Sequence, residues 1–127
     1  MSYSYRDLVA WQRAKDLSVA VYRATAVFPK SELYGLTSQI RRASISVFSN
    51  IAEGQGRISK GEFQQFLGHA CGSLLELRSQ LEVSVDLGFL PSEDFKKLDD
   101  IAAHVLRLIN GLIDSLRSKS KAASGSS

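Results

Sequence analysis

The sequence predicts an all-α protein, an antiparallel up-down-up-down four-helix bundle, and three observations carry that prediction. Apolar residues recur at steps of three and four along four segments, the spacing that lines one face of an α-helix. Only two prolines occur in 127 residues, so long helices can run uninterrupted. Short stretches of Gly, Pro and Ser separate the segments, and short connections make neighbouring helices antiparallel.

The first helix is expected over residues 7–28, ended by Pro29-Lys30-Ser31. Its core face is Ala10, Ala14, Leu17, Val21, Ala24 and Phe28, flanked by Trp11 and Tyr22. The second spans residues 36–52 with a seam of Leu36, Ile40, Ala43, Val47 and Ile51, and stops at Gly54-Gln55-Gly56. The third opens at Ser59, where Ser59 and Glu62 form an S-x-x-E capping box and Ile58 and Phe63 stand where a hydrophobic staple belongs. It carries Phe63, Leu67, Ala70, Leu74, Leu77, Leu81, Ser84 and Gly88 on one line, with Pro91 beyond its end. The fourth runs from Ser92 to near Arg117 with Leu98, Ala102, Val105, Ile109, Leu112 and Leu116 facing inward. Residues 1–117 are thus expected to form one bundle domain, and residues 118–127 a disordered Ser/Lys-rich tail. Steps of three and four favour side-by-side packing at roughly +20°.

Composition narrows the function classes. Cys71 is the only cysteine, so no internal disulfide forms. The first residues lack the basic segment and apolar run of a secretory signal, and no apolar stretch approaches the ~20 residues of a membrane span. A reducing, cytoplasmic location away from any membrane is expected. Net charge is +3, unevenly placed: residues 1–60 hold nine Lys/Arg against four Asp/Glu, and residues 61–127 hold seven against nine. A basic half beside a mildly acidic half suits a polyanion partner or a second subunit.

The outward sides of the first two helices are unusually apolar. Val9, Ala20 and Val27 form one outer line of the first helix, and Leu8, Val19 and Ala26 another, among Arg13, Asp16 and Arg23. On the second helix Ile45, Phe48 and Ala52 make a second stripe, with Arg41 pointing the same way. Helices with two apolar faces call for a neighbour, which an oligomer supplies. The expected interface residues are Val9, Val19, Ala20, Val27, Arg41, Ile45 and Phe48. Arg42, about 100° away from Arg41, shares a polar arc with Ser38, Ser46, Ser49 and Glu53 that reads as an ion-pair face toward another helix.

Catalytic patterns are weak. A di-iron bundle needs E-x-x-H pairs, and none occurs. Asp100 and His104 have a two-ligand spacing but share an otherwise solvated stripe, so a metal-dependent enzyme is the least favoured reading. His69 reads as surface and Cys71 as a small buried thiol. No G-x-S-x-G elbow is present, and Gly56-Arg57-Ile58-Ser59-Lys60-Gly61 does not match a phosphate-binding P-loop. No catalytic residue, metal or cofactor is expected. Arg57 and Lys60 do flank a helix N-terminus, whose free N–H groups favour an anion.

Asp7-Leu8-Val9-Ala10-Trp11-Gln12, Tyr34-Gly35-Leu36-Thr37-Ser38-Gln39-Ile40-Arg41-Arg42-Ala43, Ser49-Asn50-Ile51-Ala52-Glu53-Gly54 and Gly72-Ser73-Leu74-Leu75-Glu76-Leu77 carry a family resemblance. Over about residues 5–115 the chain closely resembles the intervening-sequence proteins, also called four helix bundle proteins, named for reading frames inside insertions in bacterial 23S ribosomal RNA genes. The resemblance implies a homopentamer of antiparallel bundles. That family is similar to the accessory proteins of diversity-generating retroelements, basic pentamers that bind nucleic acid and a reverse transcriptase. Ser46-Val47-Phe48 stands where the family customarily has Ser-Ile-Pro.

The expectation is a non-enzymatic, self-assembling bundle that binds RNA or DNA through backbone charge, with Arg13, Lys15, Arg23, Arg57 and Lys60 as contacts. The alternative is a protein-interaction scaffold, docking a partner enzyme without touching nucleic acid.

Overall fold

The computed structural model describes the backbone of residues 4–125 and the side chains of residues 4–118. A 3₁₀ turn, Tyr5–Asp7, is capped by Ser4, whose hydroxyl accepts from the Arg6 N–H at 3.2 Å while its own N–H donates to Asp7. Four helices follow: α1 (Val9–Thr25), α2 (Leu36–Gln55), α3 (Lys60–Asp86) and α4 (Ser92–Gly125). There is no strand among the described residues.

Each helix packs on its sequence neighbours, and α1 closes on α4. Cross-helix pairs give the direction. Ser18 meets Ser44 and Thr25 meets Arg41, so numbers rise on α1 as they fall on α2. The same inverse order links Ser46 to Ser73, Arg78 to Asp99, and Arg13 to His104. All four neighbouring pairs are antiparallel, as the sequence predicts. The end that carries the α1 C-terminus, the start of α2 and the α3–α4 turn is termed the upper end below.

The seams converge as expected. Leu17, Val21, Ile40, Val47, Ile51, Leu67, Leu74, Leu77, Leu81, Val105 and Ile109 are wholly removed from solvent. Each such side chain contributes about 1.5–3 kcal/mol by leaving water. Between α1 and α2 the core is partly polar: the Ser18 and Ser44 hydroxyls meet at 2.9 Å, and Ser44 also donates to the Arg41 carbonyl. Small side chains let these helices approach, and the hydrogen bonds satisfy buried oxygens that would otherwise cost stability. Phe28 and Phe89, 5.8 Å apart, close the upper end.

The α3–α4 turn is a complete Schellman motif. Phe89 N–H donates to the Ser84 carbonyl and Gly88 N–H to that of Val85, with Gly88 at φ 78°, a conformation that favours glycine.

Several local expectations are corrected. Leu8 is buried rather than outward, because it precedes α1 with extended backbone (φ −77°, ψ 120°) and so leaves the helical register. α2 does end within the expected Gly54-Gln55-Gly56, at Gln55 with Gly56 as its cap, but Gly54 itself stays helical. The helix continues through it, and the missing Cβ admits α3, since an added Cβ would lie 2.7 Å from Phe66 Cβ and 3.0 Å from Phe63 Cδ1. That contact also undoes the staple: Phe63 is engaged with Gly54, and Ile58 stands fully in solvent. The Ser59 cap itself forms, accepting from the Glu62 N–H at 3.1 Å, while the Glu62 carboxylate accepts the Ser59 hydroxyl. Finally, α4 continues as helix beyond Arg117 to Gly125, where an unstructured tail from residue 118 is expected. Lys and Ala are good helix formers, and residues 112–124 contain no glycine or proline to end the helix. Ser126 and Ser127 lie outside the described residues.

Candidate interaction face

The two outer apolar lines of α1 turn toward different grooves. Position 13 shows where the first line faces: Arg13 Nε donates to His104 Nδ1 on α4 at 3.4 Å. Val9 and Ala20 share its side of the helix. Val9 lines a groove with Leu108, Gly111 and Leu112; Ala20 is half-buried against the core; Val27, beyond the end of α1, is 79% exposed. These three residues therefore do not join the other four expected interface residues.

The second line faces α2, and there the expectation gathers into one surface. Val19, Ile45 and Phe48 line a concavity of about 470 Å³ with Lys15, Ser18, Tyr22 and Arg23. Val19 is 43% and Ile45 37% exposed, while Phe48 is half-buried against the core. Through Tyr22 and Ile45 this concavity runs on to one lined by Leu33, Tyr34, Ser38, Arg41 and Arg42. Through Phe48 it runs the other way to Tyr5, Trp11, Ser49, Ala52 and Glu53. The result is an apolar and aromatic strip along the whole outer face of α1 and α2.

Arg41 anchors the upper part of this strip. Its Nε donates to Thr25 Oγ1 at 2.9 Å, its Nη2 donates to the Tyr22 carbonyl at 3.4 Å, and its guanidinium lies 4.6 Å from the Tyr22 ring centroid. A cation among the last carbonyls of α1 is favoured by the helix dipole. Arg42 is exposed and lines the same concavity as Arg41, so it makes no buried ion pair toward another helix; Glu53, on the same arc, meets Arg57 at 3.2 Å. The 100° between the two arginines is bridged by the length of their side chains, which wheel geometry ignores.

The five basic residues expected to contact nucleic acid do not form one patch. Lys15 and Arg23 border the α1–α2 strip, with Lys15 Nζ 5.4 Å from the Trp11 ring. Arg13 lies on the α4 side and pairs with Asp16 at 3.2 Å. Arg57 and Lys60 belong to the lower end, just beyond the C-terminus of α2. Arg57 also stacks on Phe66 at 4.6 Å.

Other candidates resolve into structure. Asp100 is exposed and His104 is engaged with Arg13, and no three His, Cys, Asp or Glu side chains cluster to hold a metal among the described residues. Cys71 is half-buried at the α3–α4 contact, its thiol 3.9 Å from Asn110 Oδ1, and burial pushes its pKa up. A reactive thiolate is disfavoured by that shift. Sequence reasoning missed the bidentate Arg78–Asp99 pair at 2.8 and 3.2 Å, whose only trace is opposite charge on two facing seams. It also missed Leu33 and Tyr34, which sit in a turn that carries no periodicity.

No helix among the described residues is long and apolar enough to cross a membrane. No curated protein matches the chain significantly. Among solved structures, the crystal structure of a protein of unknown function from the S23 ribosomal protein family of Bacteroides thetaiotaomicron superposes with a TM-score of 0.77. It covers 84% of this chain and 96% of that one at 18% identity, a likeness of fold. Residues 6–111 match the family described as 23S rRNA-intervening sequence protein. That span takes in all of α1, α2 and α3, the α1–α2 strip and most of α4, so the chain belongs to the 23S rRNA-intervening sequence protein family.

Proposed function

We propose that this protein is a non-catalytic cytoplasmic assembly module whose copies join through the α1–α2 strip, and whose assembled form binds RNA or DNA by its phosphate backbone. One observation carries the first part: below the upper concavity, Val19 and Ile45 are exposed beside the half-buried Phe48, along a part of the strip that the protomer leaves uncovered. An exposed apolar strip with a polar rim is the usual mark of a protein contact. The rim of this part is basic, at Lys15 and Arg23, while the acidic excess lies in the α3–α4 half, so a second copy can offer the opposite charge. Five copies is the number the family resemblance implies.

For nucleic acid, Lys15, Arg23 and Lys60 are the primary contacts, since none has a carboxylate partner among the described residues. Arg13 and Arg57 exchange their carboxylates for phosphates on binding. Repetition around an oligomer turns a few weak contacts per subunit into a useful affinity. Titration of the protein against labelled RNA and DNA at increasing salt tests this. Affinity falls steeply, with a log–log slope of about −0.9 per phosphate neutralised on a duplex. No retention at ~50 mM salt refutes nucleic-acid binding.

The scaffold reading is favoured by one observation: two of the five basic residues are already paired with carboxylates. It predicts the same assembly with no affinity for nucleic acid at any salt.

A further inference from the structure

The upper concavity of the α1–α2 face has a composition that self-association alone does not require. It is lined by two tyrosines, two arginines, Ser38 and the apolar Leu33 and Ile45, and has a volume of about 440 Å³. That lies within the ~300–1,000 Å³ of small-ligand sites. We propose that it holds one unpaired nucleotide of a single-stranded nucleic acid, the base stacking on the tyrosines and a flanking phosphate meeting Arg42. The inference rests on the nucleic-acid reading above and goes further by naming the site and the strandedness of the ligand.

Three features carry it. Tyr34 is 94% exposed, so its ring does nothing for the fold and is free to take a planar partner. Tyr22 and Arg41 form a prebuilt platform: the guanidinium lies on the ring, and its hydrogen bonds to Thr25 and the Tyr22 carbonyl hold it there. Aromatic rings and guanidinium planes are the surfaces on which single-stranded bases stack. Arg42 is exposed, lines the concavity and has no carboxylate partner among the described residues, so its charge is not offset within the protomer. Glu32 is the nearest acidic residue in sequence, but its carboxylate lies against Gly35 at the start of α2 and does not line the concavity. Bases inside a duplex already stack on one another and cannot reach such a site, so the preference for single strands follows.

The test is fluorescence anisotropy with labelled oligo(U) and oligo(dT), beside a duplex of equal length, at ~50 mM salt. Tyr34→Ala weakens single-strand binding about five- to hundred-fold, as loss of one stacked base does, and leaves duplex binding unchanged. Tyr34→Phe keeps the ring and retains the affinity. Arg42→Gln weakens binding and lowers the salt slope by about one phosphate. Tyr34 is too exposed for its replacement to disturb folding, which circular dichroism checks. Unchanged single-strand affinity in Tyr34→Ala, while Lys15 or Lys60 variants lose it, overturns the site and leaves the broader reading standing. A change in assembled mass with affinity intact overturns it too, by making Tyr34 a subunit contact. No binding of any strand by the parent protein overturns both.

Discussion

Replacing Gly54 by alanine tests how α2 and α3 are held together, because the structure predicts a sign opposite to the one helix propensity gives. An added Cβ lies 2.7 Å from Phe66 Cβ, 3.0 Å from Phe63 Cδ1 and 3.3 Å from the Phe63 carbonyl. Ordinary carbon contacts are about 3.5–4.0 Å, so the first is short by roughly 1 Å. Phe66 Cβ is bonded to the α3 backbone and cannot swing aside; either the helices separate or α2 unwinds at its end. Overpacking of this kind costs about 1–3 kcal/mol, and the hard contact puts it at the upper end. Alanine returns about 1 kcal/mol in helix propensity, leaving a net loss of about 1–2 kcal/mol. Gly68→Ala is the matched control: nothing lies within 4 Å of its added Cβ, so it gains about 1 kcal/mol. Urea melts followed by far-UV circular dichroism, at one protein concentration, should separate the two variants by about 2–3 kcal/mol. A Gly54→Ala protein as stable as its parent would refute the close α2–α3 approach.

Three further outcomes follow from the same geometry. Ile45→Asp places a charge in the α1–α2 strip; Ile45 is 37% exposed, so the protomer loses about 1–2 kcal/mol and stays folded, while the assembled mass falls in light scattering. Unchanged mass would remove Ile45 from the interface. Ser59→Ala deletes the cap on α3 and lowers stability by about 1 kcal/mol in the same urea assay; a loss near zero would show the cap is idle. Cys71 alkylates more slowly than a free thiol at mildly alkaline pH, because burial raises its folded pKa and keeps it protonated. That raised pKa gives stability which is complete below the unfolded thiol's pKa and is lost as pH rises through the folded value, so Cys71→Ala flattens the alkaline limb of the stability profile. Alkylation at the free-thiol rate would contradict the burial.

The bundle was legible because its core uses one rule throughout. Leu67, Leu74, Leu77 and Leu81, or Ile40, Val47 and Ile51, repeat at helical spacing, and burial follows directly from that period. What failed were contacts made outside the period. Leu8 precedes its helix; Gly54 looks like a terminator but answers a residue of another helix; Ile58 lost its staple partner to that same contact. The site divides in the same way. Val19, Ile45 and Phe48 were visible as excess apolar residues on two helices and do come together. Val9 belongs to the same wheel arithmetic but lies against α4, Ala20 packs on the core and Val27 falls beyond the end of α1, a partition that needs the helix pairing and the helix end to be known. Arg41 and Arg42 diverge on a wheel yet share a concavity, and Tyr34 joins them from a turn.

Sedimentation velocity, or light scattering after size exclusion, on the purified chain addresses the α1–α2 strip most directly. Burial of that strip between copies predicts a particle whose mass is a whole-number multiple of 13.9 kDa, five-fold by the family resemblance. A species that stays at 13.9 kDa at high concentration would contradict it.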